Sequence, residues 1–326
     1  MSKCPFLILF VAVLCLCSSI RAQEPIDTYE DELMEHTLAD WNMKGPVKTA
    51  TVTLFIKSKG DSIFQQKMKT ILNFDTIGRL VAKTVNWGTF EDKDSIVEYF
   101  QYDSLNRLSV CFSSDSHFRS DFIYDGNGNF SHCIYTRKDE QPKSSFRYYY
   151  DEKGRCTRRE YIAGIDEEYL GYKIYQHFFQ YDSLDHCIEK VTMLDGDTES
   201  VKRLKYDIRG NITERIIYDA IGGGVENLSQ ELFFYDDEDR VVKSQFFFDH
   251  SAQDEIFYEY NEQNQLIRMK TYKIKEGIKE NHWSFLDEMF YDQYGNCVEN
   301  ISSSILQDRS PGAVMKATYE YEYADE

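Results

Sequence analysis

The chain lacks any apolar run long enough to cross a bilayer as a helix: its longest, "FLILFVAVLCL" from Phe6 to Leu16, is about half of the roughly 20 residues needed. It is also short of basic residues relative to acidic ones. Lys and Arg number 37 against 56 Asp and Glu, a formal charge of −19, and no basic stripe concentrates what there is. Attraction to phosphate backbones is therefore unfavourable, and nucleic acid is not an expected partner. The seven histidines, His36, His117, His132, His177, His186, His250 and His282, form no H-E-x-x-H spacing, and there is no G-x-S-x-G elbow. His186 reads as a turn residue and His177 as part of a strand. No nucleophile stands beside a base, so no catalytic residue, metal or cofactor is expected.

What is present begins with a leader. Lys3, the short apolar run and "CSSIRA" ending at Ala22 describe a secretory signal over residues 1–22. Anchoring as a lipoprotein is disfavoured, because Leu14 and Leu16 precede Cys15 and Cys17 where small residues are usual. The expected localisation is export, to the periplasm, the cell surface or the medium, with no transmembrane segment in the mature chain. Loss of the leader removes Lys3 and Arg21 and leaves 35 basic against 56 acidic residues, near −21. That acidity favours solubility, and 24 Tyr with 22 Phe argue for a packed core over disorder.

Nine copies of one seven-residue pattern follow: "FDTIGRL" at Phe74, "YDSLNRL" at Tyr102, "YDGNGNF" at Tyr124, "YDEKGRC" at Tyr150, "YDSLDHC" at Tyr181, "YDIRGNI" at Tyr206, "YDDEDRV" at Tyr235, "YNEQNQL" at Tyr260 and "YDQYGNC" at Tyr291. They start 22 to 31 residues apart, which marks units of one array. The second residue is Asp in all but Asn261. The fifth is always Gly, Asn or Asp. An acid or amide opening a type I turn, with a residue tolerant of positive φ three places later, describes a hairpin closed with a G1 bulge. Asp103, Asp125 with Gly128, Asp151 with Gly154, Asp207 with Gly210 and Asp292 with Gly295 are thereby read as structural turn residues. "YDAIGGG" at Tyr218 is a decoy, the end of an outgoing strand.

Period-two alternation places the repeat tyrosine, the large residue two before it and the apolar residue after the turn on one face. Five cysteines remain after the leader, an odd number. Cys156, Cys187 and Cys297 fill the apolar place after the turn, and Cys111 and Cys133 share a place further along the outgoing strands. Equivalent residues two strands apart stand roughly 9 to 10 Å from each other, beyond the roughly 7 Å a disulfide tolerates. Free thiols are expected.

The fold class expected is all-β: a long, strongly curled antiparallel meander of about 20 strands built from the nine hairpins, as a single domain over 47–326. Residues 23–46 form an N-terminal segment. In it Met34, Leu38 and Trp41 recur at helical spacing, predicting a short amphipathic helix over 29–40 that covers the first strand's edge. "VKTATVTLFIKS" from Val47 opens the sheet and "MKATYEYEYADE" closes it. The hairpin tips line one edge and connectors of varied length the other, where binding specificity is usually carried.

The recurring Tyr-Asp followed by Gly-Arg or Gly-Asn resembles the YD or Rhs-type repeat of bacterial Rhs proteins, insecticidal toxin-complex shells and teneurins. The resemblance covers most of residues 70 to 300. It implies a spiralling antiparallel sheet able to form a hollow shell. This chain has far fewer repeats than the large shells and no self-cleaving core segment, so the encapsulated-toxin role does not transfer; it looks like the small exported form.

Candidate binding residues are the aromatics that alternation turns away from the core: Tyr149, Phe234 and Phe290 one residue before the repeat aromatic, and Tyr99, Phe178 and Phe257 three before. Such rings can stack on sugars or on a partner chain. The acidic stretch "DGDTE" from Asp195 raises calcium, but lacks a known loop's ligand spacing. The triplets at Asp61, Asp75, Asp94, Asp103 and Asp182, each Asp followed by Ser or Thr and an aliphatic residue, resemble an O-glycosylation signal of some exported bacterial proteins. The function expected is a non-enzymatic exported scaffold that binds a glycan or a surface protein. The alternative is an envelope-associated hydrolase or a shell component of a toxin or secretion system.

Overall fold

The computed structural model describes residues 43–87, 95–114, 118–137, 144–163, 173–221, 224–280, 282–305 and 311–324. The expected leader and the helix over 29–40 lie outside them, as do the connectors at 88–94, 115–117, 138–143 and 164–172. The first strands are β1 (Val47–Lys57), β2 (Gln65–Phe74), β3 (Leu80–Trp87), β4 (Ser95–Tyr102), β5 (Leu108–Ser113), β6 (Phe118–Tyr124) and β7 (Phe130–Arg137). Next come β8 (Ser144–Tyr150), β9 (Cys156–Ala163), β10 (Lys173–Tyr181), β11 (Cys187–Leu194), β12 (Asp197–Tyr206), β13 (Ile212–Ile221) and β14 (Gly224–Tyr235). The last are β15 (Val241–Phe248), β16 (Ser251–Tyr260), β17 (Leu266–Lys275), β18 (Ile278–Lys279), β19 (Phe285–Tyr291), β20 (Cys297–Ile305) and β21 (Pro311–Tyr323). No helix occurs among the described residues, so none there is long and apolar enough to cross a membrane.

All nine tips share one construction. At Tyr150, the Asp151 N–H donates to the Arg155 carbonyl and the Gly154 N–H to the Asp151 carbonyl, each at 3.0 Å. Asp151 Oδ1 accepts the N–H groups of Lys153 and Arg155 at 2.9 Å, while Oδ2 pairs with the Arg155 guanidinium at 2.7 Å. Arg79, Arg107 and Arg240 make the same pair with Asp75, Asp103 and Asp236 at 2.7 Å. Asn129, His186 and Asn211 substitute for the arginine at Asp125, Asp182 and Asp207. The fifth residue is left-handed throughout, with φ of 81° to 89° at the five glycines and 59° to 68° at Asn106, Asp185, Asp239 and Asn264. Such a φ costs a non-glycine residue about 1 to 2 kcal/mol, least for Asn and Asp, which explains the restricted choice.

Each outgoing strand then departs from simple alternation. Tyr150 pairs with Cys156 but Tyr149 with Arg158, leaving Thr157 as an extra residue. The same bulge follows Phe74, Tyr102, Tyr124, Tyr181, Tyr206 and Tyr291. It switches the strand's faces, so the residue three beyond the turn, not two, joins the core. This is why Cys111 and Cys133 are buried, and with them Arg159, Lys190, Ser244 and Asn300. Cys111, Cys133, Cys156, Cys187 and Cys297 are thiols outside any disulfide.

Successive hairpins are joined by the repeat tyrosine. Its hydroxyl donates to the carbonyl of the apolar residue beyond the preceding turn: Tyr124 to Leu108, Tyr150 to Phe130, Tyr181 to Cys156, Tyr206 to Cys187, Tyr260 to Val241 and Tyr291 to Leu266, at 2.7 to 3.0 Å. Tyr321 in β21 does the same to Cys297 at 2.7 Å. The tip arginine of the preceding hairpin lies over the ring. Arg107 is 4.1 Å from the Tyr124 centroid, Arg155 4.7 Å from Tyr181 and Arg240 5.1 Å from Tyr260, while His186 stacks on Tyr206 at 4.5 Å. Polar tip, ring and carbonyl thus form one chain of contacts from hairpin to hairpin.

Hydrogen bonding runs from each strand to the next, with β17 paired to β19 and with β18 as a side strand on β17. β1 has a second partner in β21, with Val52 opposite Tyr319 and Leu54 opposite Ala317. The expected curled meander of about 20 strands goes further and closes: 20 strands are connected as a closed barrel, plus one extra strand. A strand edge left unpaired invites further pairing, and here β21 pairs along the edge of β1 that β2 leaves open. Side chains seal the seam, since Val52, Leu54, Met68, Ala317 and Tyr319 form one buried cluster. Beside it Asn296 donates to the Lys44 carbonyl at 2.8 Å and accepts the Lys44 N–H at 2.6 Å.

The chain separates into two compact units, one of Met1–Val97, Tyr235–Lys243 and Glu255–Glu326, the other of Glu98–Phe234 and Ser244–Asp254. Three connectors that read as loops are two-residue turns with both φ positive: Asp195-Gly196, Asp249-His250 and Glu276-Gly277. These match type I′ hairpins. The Asp195 carboxylate ties its turn to β10, accepting the Ile174 N–H at 2.9 Å.

Two outcomes test this construction. Tyr181→Phe removes one inter-hairpin bond and strands the Cys156 carbonyl; equilibrium denaturation should show a loss of about 1 kcal/mol with an unchanged denaturant slope. The pH profile should fall at both ends. At Asp103, Asp125 and Asp151 the backbone donor four residues on, then the side-chain partner, holds the carboxyl below its usual range. At Asp75, Asp182, Asp207, Asp236 and Asp292 burial pushes upward and the donors outweigh it. A depressed folded pKa gives stability that is complete above the unfolded value of about 4 and is lost as pH drops through the folded one. Burial lifts Tyr150 and Tyr260 to about 12. Their contribution is complete below the unfolded value of about 10 and is lost as pH rises through the folded one. Thermal unfolding measured across pH should therefore show a plateau with shoulders near pH 4 and pH 10.

Candidate functional site

The bulge decides which side chains face outward beside the candidate aromatics. Because Thr157 is extra, Arg158 lies opposite both Tyr149 on β8 and Phe178 on β10. A three-strand row, Tyr149–Arg158–Phe178, therefore crosses the face away from the core of the Glu98–Phe234 unit. The Arg158 guanidinium sits 3.9 Å from the Tyr149 ring centroid, a geometry favourable for cation–π attraction.

Polar groups border the row. Tyr149 donates its hydroxyl to Glu160 Oε2 at 2.8 Å, and Gln176 donates its amide to Oε1 at 2.8 Å. Arg158 stands 3.4 Å from the same carboxylate. Burial pushes the Glu160 carboxyl up, but Tyr149, Gln176, Arg158 and Arg147 outweigh it and hold it below the ordinary range. The carboxylate is thus a fixed acceptor, and the tyrosine ring is locked in orientation by its own hydroxyl. Pre-set rings and fixed polar groups reduce the ordering cost of binding.

The other candidates are placed separately. Tyr99 is 40% exposed and stacks on Phe112 at 5.3 Å; Phe234 and Phe290 are 41% and 47% exposed. Phe257 is half-buried, edge-on to Tyr272 at 5.7 Å and beneath the Lys279 ammonium at 4.6 Å. Beside it Glu255 is buried between Lys243 at 2.5 Å and Lys279 at 3.1 Å. Phe257 and Phe290 belong to one compact unit and Tyr99, Tyr149, Phe178 and Phe234 to the other. Among the pairings described, Tyr149 and Phe178 share a row through a common cross-strand partner, Arg158. Arg158, Glu160 and Gln176 were missed by sequence reasoning; plain alternation from Cys156 assigns Arg158 to the core face.

The core face carries its own charges. Lys190 is buried directly across from Lys202, and its ammonium lies 5.9 Å from the Phe179 ring. Arg215 pairs with Glu231 at 2.7 Å. His177 accepts or donates a bond with Thr192 at 3.1 Å; burial first, and the Arg159 charge second, lower its pKa to about 4. Burial lifts the Cys133 thiol to about 11, away from thiolate chemistry. Among the described residues no group of three or more His, Cys, Asp or Glu is placed to hold a metal ion.

No protein-family model matches the chain, and no curated protein matches its sequence. Solved structures superpose on it weakly. A TcdB2-TccC3-Cdc42 structure does so with a TM-score of 0.42 at 11% identity, covering 75% of this chain and 14% of that one. A porin-like protein from Bacteroides uniformis ATCC 8492 gives 0.38 at 10% identity, covering 86% of this chain and 98% of that one. A TcdB2-TccC3-TEV structure gives 0.26 at 10%, covering 76% and 19%. This chain thus spans under a fifth of the TcdB2-TccC3 chains. At such scores the likenesses carry no argument about what it binds.

The site's electrostatics are directly testable. Tyr149→Phe removes the first donor to Glu160, so the Glu160 carboxyl should titrate at higher pH than in the parent chain, as followed by carboxyl carbon resonances; an unmoved titration would deny the bond.

Proposed function

We propose that this chain is an exported, non-enzymatic β-repeat scaffold of the YD type, and that it binds a glycan. The observation that carries this reading is the Tyr149–Arg158–Phe178 row with Glu160 and Gln176 beside it. Aromatic faces offer a sugar ring's C–H surface an apolar platform, and a bordering carboxylate and amide offer hydroxyl groups their hydrogen bonds. Tyr99, Phe234 and Phe290 are secondary contacts for a long polymer. The rigid tips serve to hold this face in shape.

The same face speaks against lipid as its medium. Arg203–Glu189 at 2.7 Å, Lys205–Glu214, Arg268–Glu288 at 3.0 Å and Lys316–Glu299 at 2.5 Å lie on outward strand positions. Arg or Lys facing lipid near a bilayer's midplane costs about 2 to 4 kcal/mol each. A second reading, a wall or shell component of the envelope or of a toxin assembly, is favoured by the pairing of β1 with β21, which leaves neither strand's edge open.

Titration with size-fractionated envelope polysaccharides, read by tryptophan and tyrosine fluorescence and by calorimetry, tests the glycan reading. Phe178→Ala and Tyr149→Ala should each weaken binding at least tenfold while circular dichroism stays that of the parent. Binding unchanged in both variants, or no polysaccharide bound by the parent, overturns it.

A further inference from the structure

Three of the nine tips depart from the others in a correlated way. Where the third residue is Ser or Thr, the fourth is aliphatic: Thr76-Ile77, Ser104-Leu105 and Ser183-Leu184. In the other six the fourth residue is Asn127, Lys153, Arg209, Glu238, Gln263 or Tyr294. The fourth place points into solvent, with Ile77, Leu105 and Leu184 exposed at 63%, 69% and 71%. Tyr294 has a packing reason, stacking on Tyr323 at 4.6 Å. The three aliphatic residues do not serve the turn, which closes equally well over Lys153. Turn chemistry explains the Asp and tolerates the Ser or Thr, and it leaves the exposed aliphatic residue unexplained.

A fourth copy lies outside the tips. Asp61-Ser62-Ile63 occupies the turn between β1 and β2, with Ile63 exposed at 74%. The triplet at 94–96 begins outside the described residues. Ile208, an exposed aliphatic at the third place of its tip, follows Asp without a hydroxyl and is not part of this pattern. In all four triplets the Ser or Thr is exposed.

We infer that Thr76, Ser104, Ser183 and Ser62 are acceptor hydroxyls for covalent attachment of a neutral glycan, with Asp-Ser/Thr-aliphatic as the segment a transferase reads. Rigid presentation favours it, since the Asp carboxylates of the three tips are fixed by two backbone N–H groups and a side-chain partner. Charge selects the class of modification. A phosphoryl group would add up to two negative charges beside an aspartate on a chain already rich in acid, whereas an uncharged sugar adds none and covers the exposed aliphatic side chain. The step is a glycosyl transfer: the hydroxyl oxygen bonds to the anomeric carbon of a donor activated as a glycosyl pyrophosphate. The anomeric carbon–oxygen bond to phosphate breaks with its electron pair, and the hydroxyl proton passes to the transferase's base.

Intact mass spectrometry of the mature full-length chain from its native cells, beside the same chain made in a host cytoplasm, tests this. The native chain should carry discrete sugar-mass increments, removed by alkaline β-elimination and mapping to the four hydroxyls. Ser104→Ala should lose one increment. Leu105→Lys, which copies the tip at Lys153 and keeps the hydroxyl, should lose the same one. A native mass equal to the bare chain, an increment of phosphate mass, or full modification of Leu105→Lys would overturn the inference.

Discussion

The bond on which the rest of this molecule depends runs from a tyrosine hydroxyl to the backbone carbonyl just beyond the previous hairpin's turn. A two-stranded hairpin alone is at best marginally stable. Here hairpins supply backbone carbonyls to the tyrosine hydroxyls of their successors, and Arg107, Arg155, His186 and Arg240 each lie against the ring that follows. Tyr181 donates to Cys156 beneath Arg155, and Tyr206 donates to Cys187 beside His186. The arginine is itself held by the aspartate of its own turn. One seven-residue motif therefore specifies a turn and a link to the next repeat.

That division of labour leaves the other face of the sheet free to vary. The motif fixes the turn, the bulge after it and the row of core side chains, but makes no demand on residues such as Tyr149, Arg158, Glu160 and Phe178. In some hairpins these outward places hold ion pairs, as at Arg268 and Glu288, and in one region they assemble an aromatic row with polar neighbours. The glycan-binding reading rests on this contrast. The aliphatic residues at the tips are a second departure from what the repeat needs.

Much of this was legible in the sequence. The nine copies' spacing from an Asp or Asn to a Gly, Asn or Asp three residues on predicted the turns, and the left-handed fifth residues followed from that restriction. About 20 strands were expected; 20 form the closed circuit and β18 is added. The expected G1 bulge sits in the turn itself, but the second bulge beyond it was not legible, because Thr157, Ser109, Ser131 and Val81 share no property that distinguishes them from ordinary strand residues. Missing it hid the reason Arg159 and Lys190 are buried, and it left the middle residue of the Tyr149–Arg158–Phe178 row unseen. Closure was hidden for another reason: β1 and β21 stand at opposite ends of the chain, and neither carries the turn motif that announces a partner. The polar sixth residue of each tip was visible as a column, but its role over the next ring emerges only when the hairpins are laid side by side.

The most direct test of the central claim is amide hydrogen exchange at the tips. Ordinary solvent-facing turns exchange quickly, because local opening there costs little. If each tip is clamped by its aspartate and tied to its neighbour by the tyrosine and the cation, the amides of Asn129, Arg155, His186 and Asn211 should exchange as slowly as those in mid-strand. They should also be far slower than the amides of Gly196 and Gly277 in the turns at the opposite edge. Tip amides exchanging at the rate of those opposite turns would contradict the claim that the motif binds hairpin to hairpin.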